Sequence, residues 1–87
     1  MIALELSFTS TQERLSARPE HRKILEQLHT DGTLIGAGPW ADDSGALLIF
    51  DADREAVDRI IADDPYYRTQ GVTIASVRDW TPIVGPR

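Results

Sequence analysis

The sequence predicts a ferredoxin-like α+β fold, a single four-stranded antiparallel sheet with two helices on one face, in the order β-α-β-β-α-β. Three observations carry that expectation. The chain opens on a strict alternation of apolar and polar residues, two segments with helical spacing follow later, and short apolar runs bounded by turn residues fill the places between and after them.

Ile2, Leu4, Leu6 and Phe8 share one parity and Ala3, Glu5 and Ser7 the other, so residues 2–8 form a half-buried strand. After a polar connector, Pro19 suits a first helical turn, and Ile24, Leu25 and Leu28 recur at helical spacing until Gly32. The first helix is therefore expected over residues 18–30. Thr33 to Ala37 is a short apolar strand closed by Gly38-Pro39, and Ala46 to Phe50 is a second one beyond the turn-rich Ala41-Asp42-Asp43-Ser44-Gly45. These two make a hairpin. Asp53 is an N-cap, and Ala56, Val57, Ile60 and Ile61 form one apolar face until Pro65 forbids continuation, which places a second helix at 54–63. Val72 to Val77 follows Gly71 and is β-branched, hence the last strand. Residues 1–84 form one domain and 85–87 a loose tail.

Composition narrows the function classes. The 87 residues suffice for one two-layer core, small enough to profit from a partner. Fourteen acidic residues against nine basic ones give a charge of −5, which repels nucleic acid and anionic membrane surfaces. Without cysteine, no disulfide framework, thiolate metal site or thiol nucleophile is available. The N-terminus has no basic segment followed by a long apolar run and so is not expected to be a signal peptide, and the expected location is the cytoplasm. Strand three is apolar on both parities, as are Leu34 and Ile35 in strand two. A sheet face left in water would not need that, so a second copy of the chain is expected on the face opposite the helices.

The topology brings the start of helix one, the end of strand two and the end of helix two to one rim. His21 shares a face with Ile24, Leu25 and Leu28, so it points toward the sheet. Placed near a helix start, its pKa would be lowered by the dipole and raised by a carboxylate such as Asp64. That suits general acid–base work, with Asp64 fixing the tautomer. Packing explains the same residues differently: His21 as a core-edge residue and Asp64 as a turn residue before proline. Arg18, one turn before His21, is a candidate for holding an anionic group, with the Gly38-Pro39 backbone beside it. Trp40, Tyr66 and Tyr67 are candidates for walls of a pocket, or else packing and dimer contacts. His29 lies about 12 Å from His21 along the helix axis, so the two cannot share a metal ion, and the C-terminal dipole explains it. Asp42-Asp43 is assigned to turn chemistry. No phosphate loop, nucleophile elbow or zinc motif occurs, and no metal or cofactor is expected.

Arg18-Pro19-Glu20-His21, the run Gly32-Thr33-Leu34-Ile35-Gly36-Ala37-Gly38-Pro39, the glycine before strand three, and Asp64-Pro65-Tyr66 followed by Gly71-Val72 together resemble the YciI family, or YCII-related domain. The resemblance covers nearly the whole chain. It implies a ferredoxin-like protein that assembles as an α/β-barrel-like dimer, with a proposed active site on a histidine and an aspartate that map onto His21 and Asp64. A related dehydrochlorinase acts on a chlorinated hydroxyquinol. Longer bacterial members carry an insertion where this chain has only the compact loop Trp40 to Gly45, so their substrates do not transfer.

Two readings follow. In one, the protein is an enzyme performing cofactor-independent elimination or isomerisation on a small cyclic or aromatic molecule, with His21 as base and Asp64 as its orienter. Arg18 and the Gly38-Pro39 backbone would then meet developing negative charge. In the other, it is a non-catalytic dimeric module that binds a metabolite in the same pocket.

Overall fold

The computed structural model describes residues 1–85; of the tail expected over 85–87, residues 86 and 87 lie outside the described residues. The elements run β1 (Ile2–Phe8), α1 (Gln12–Thr30), β2 (Leu34–Pro39), β3 (Gly45–Phe50), α2 (Arg54–Asp63), a 3-10 turn (Pro65–Arg68) and β4 (Val72–Asp79). All four strands join one antiparallel sheet in the order β2-β3-β1-β4, so the α+β, ferredoxin-like expectation holds. No helix among the described residues is long and apolar enough to cross a membrane.

Alternation decides which sheet face is dry. Ile2, Leu4 and Leu6 pair with Phe50, Leu48 and Ala46, and this set is buried together with Val57 of α2 and packed by Leu25 and Leu28 of α1. Both helices therefore cover the same face. Leu47 and Ile49 point to the opposite, helix-free face beside Glu5 and Ala3.

The first helix is longer than expected. It begins at Gln12, not residue 18, because Thr11 caps it: the Thr11 hydroxyl accepts from the Arg14 amide at 3.2 Å and donates to the Gln70 carbonyl at 2.7 Å. Gly71, at φ +99°, lets the chain pass so close to Thr11 that a side chain there would clash. Pro19 consequently lies inside the helix and removes the donor that would meet the Leu15 carbonyl. Leu15, Ser16, Pro19 and Glu20 are exposed, so water can take that carbonyl. Gly32, at φ +88°, follows the helix end.

Strand two also differs. Gly38 and Pro39 were expected to close it but belong to it, paired with Leu47 and Ala46; β2 is an edge strand, where a missing proline N–H is tolerated. A register shift between Leu34 and Gly36 puts Ala37 and Pro39 on the helix-covered side with Leu48 and Ala46, and leaves Gly36 and Gly38 on the open face. β4 runs two residues past Val77, with Arg78 and Asp79 paired to Ala3 and Ile2.

Candidate functional site

With the helix extended to Gln12, one face of α1 reads Arg14, Arg18, His21, Leu25, Leu28, at alternating spacings of four and three. Arg14 and His21 are its buried members. This face looks across a cleft of about 450 Å³ toward Ala37, Gly38 and Pro39 of β2, over a floor that includes Leu6 and Leu48.

Asp64 reaches the site from the far end of α2. Proline at 65 ends that helix, and Asp64 serves both as its C-cap and as the N-cap of the 3-10 turn. One carboxylate oxygen accepts from the Tyr66 amide at 3.0 Å. The other meets His21 Nδ1 at 2.6 Å, with both residues buried. A carboxylate accepts, so Nδ1–H donates and Nε2 is left with its lone pair. Tyr66 stacks on the imidazole at 3.9 Å and 7°, and Tyr67 meets it edge-on at 5.3 Å. Three flat partners thus hold the ring in one orientation.

Burial lowers the His21 pKa, and contact with Asp64 opposes that shift without cancelling it. The dipole expected from a helix start plays no part, since His21 lies nine residues beyond Gln12. The lowered pKa favours the neutral ring, the form a general base needs. Burial, reinforced by Asp64 and Tyr66, pushes the Tyr67 phenol well above its ordinary range, so it stays protonated.

Of the residues singled out in the sequence, His21, Arg18, Gly38, Pro39 and Tyr66 line the cleft. Asp64 and Tyr67 stand behind and beside His21. Trp40 is not brought to the cleft; it is 42% exposed beyond the end of β2. His29 does line it, with Nδ1 donating to the Leu34 carbonyl at 2.8 Å. Two residues were missed. Arg14 lies in the polar stretch that the spacing reads as a connector, although Thr11 and Glu13 are ordinary signals of a helix start. Asp43 was assigned to turn chemistry along with Asp42; Asp42 does accept from the Ser44 amide at 3.0 Å, but Asp43 pairs with Arg14.

Compared with known proteins, the chain matches the family model of the YCII-related domain over residues 2–81. No curated protein matches it.

Proposed function

The chain belongs to the YCII-related domain family, and from that membership we propose that it is an acid–base catalyst of a small molecule, with His21 as the base and Asp64 as its orienting partner. The observation that carries this reading is the buried 2.6 Å contact between His21 Nδ1 and Asp64 beside an open cleft. Neutral His21 takes a proton from a carbon made acidic by a neighbouring carbonyl or ring, through Nε2. Asp64 stabilises the imidazolium that forms, and Arg18 faces the electron density left on the substrate. Return of the proton at another atom is an isomerisation. Departure of a leaving group is an elimination, the reaction type of a dehydrochlorinase.

The test is a screen of small phenolic and lactone compounds with wild type and His21→Ala side by side. Loss of a general base should cost about 10²–10⁴-fold in turnover. Equal rates for the two proteins on an identified substrate would refute the assignment. The 6% exposure of His21 favours a second reading, a module that binds a metabolite without transforming it; ligand binding with no turnover in either protein would select it.

A homodimer through the helix-free face completes the proposal. Leu47 and Ile49 stand there beside Ala3 and the Cβ-less Gly36 and Gly38, an apolar patch next to the Glu5–Arg78 pair that a second copy would cover. Sedimentation should find a dimer for wild type and a folded monomer for Ile49→Glu. A stable wild-type monomer at micromolar concentration would remove this part of the reading.

A further inference from the structure

Arg14 reaches the cleft from the same helix face as His21, and the acid–base reading leaves it unused. Its exposure is 3%, and a guanidinium is rarely buried so deeply unless its charge and donors are met. Here they are met in part. Nη2 donates a single bond of 3.0 Å to Asp43. The guanidinium carbon lies 4.4 Å from the centre of the Phe8 ring. Nε is also buried and has no partner among the described residues. Arginine carries five donors in a planar fork that fits a carboxylate two bonds at a time, so this side chain holds recognition capacity in reserve.

Its partner is poorly placed for a structural ion pair. The Asp43 side chain is 50% exposed, and its φ of +59° is the left-handed conformation that aspartate readily takes in a hairpin turn, here closed by the Asp43 amide donating to the Trp40 carbonyl at 2.9 Å. Asp42 already supplies the side-chain bond the turn requires. Asp43 instead spans 29 positions of sequence to put a carboxylate on Arg14 at the wall of the cleft.

We propose that the cleft takes a small apolar or aromatic carboxylate gripped by Arg14, and that Asp43 holds the place of that carboxylate in the unliganded protein. The proposal rests on the same cleft being the functional site and names its substrate class. Arg18 and Arg22 stand on the same wall, against Glu26 and Asp43 as its acids. With Asp64 behind His21 the arginines and carboxylates balance here, so in a chain of charge −5 this wall repels an anion less than the surface at large does. Leu6, Phe8, Leu25 and Leu34 supply apolar surface for the rest of the molecule. Tyr66 links the two ends: it stacks on His21, and with Asp43 it raises the Arg14 pKa against the opposing effect of burial. Arg14 and His21 lie about 10 Å apart along the helix axis, within reach of a ring with a carboxylate arm.

The experiment is an NMR titration of ¹⁵N-labelled protein with benzoate and, as the neutral isostere, benzamide. Benzoate should shift the cleft amides and the Arg14 Nε–H signal, while benzamide at equal concentration leaves them in place. Asp43→Asn removes the competing carboxylate with a residue that tolerates positive φ, and should bind benzoate about tenfold more tightly, in a salt-sensitive manner. Arg14→Gln should abolish binding; should that variant not fold, Asp43→Asn still decides. Benzamide binding as well as benzoate, or unchanged or weaker benzoate affinity in Asp43→Asn, would overturn the proposal. Benzoate binding involves no turnover, so the two readings fail separately. A protein that binds benzoate in both wild-type and His21→Ala forms yet transforms nothing loses the acid–base reading alone, and an active protein that ignores benzoate loses the carboxylate site alone.

Discussion

The two helices cover one sheet face in opposite ways. α2 has 10 residues, buries Val57 completely and packs Ile60 and Ile61 behind it. α1 has 19 residues, and those it buries are Arg14 and His21. An apolar stripe closes against the sheet and excludes water. Two polar side chains that each require a partner cannot do so, and the cleft lies under α1. α2 presents only apolar side chains to the sheet, whereas α1 adds two buried polar ones beside its Leu25 and Leu28.

The largest effect that would sharpen this contrast is expected from Asp64→Asn. The amide cannot accept the Nδ1 proton through its nitrogen, so the imidazole is driven toward the wrong tautomer and turnover should fall by about 10²–10⁴-fold. Loss of the carboxylate charge should also lower the His21 pKa further, read from the ring protons by NMR titration. An unmoved titration in a folded variant would mean that the two side chains do not interact in solution.

Val57→Ala should do the reverse. Emptying a fully buried site costs about 2 kcal/mol in denaturant unfolding, while turnover per folded molecule stays unchanged. A loss of specific activity there would break the division between the helices.

The smallest effect is a pH dependence. The folded His21 pKa lies below the ordinary value of 6.5, so at acid pH the unfolded chain binds the extra proton more readily. Stability linked to this group is therefore fully present above about pH 6.5 and declines as pH falls from there through the lowered folded pKa. Urea midpoints measured from about pH 8 to about pH 5 should show that acid loss in wild type and a shallower one in His21→Gln. Identical slopes would remove His21 from the acid response.

Much of this was legible in the chain itself, because it depends on near neighbours. The period of two from Ile2 to Phe8 set β1, and Asp53 with the Val57–Ile60–Ile61 face and Pro65 bounded α2 at both ends. The apolar face shared by His21, Leu25 and Leu28 turned the histidine toward the sheet, and the order of elements brought Asp64 to the same rim. What remained illegible depends on contacts between distant residues. The start of α1 is set by Thr11 against Gln70, 59 positions away, and with it go the place of Pro19 and the cause of the lowered His21 pKa. A shift in register of one residue in β2 decides which of its residues line the cleft. The Arg14–Asp43 pair needs a helix and a hairpin turn to meet. Periodicity and caps are written along one dimension, and a single sequence displays them; a buried ion pair or a strand register is the outcome of packing in three, where each partner is chosen by what the rest of the fold has already brought near.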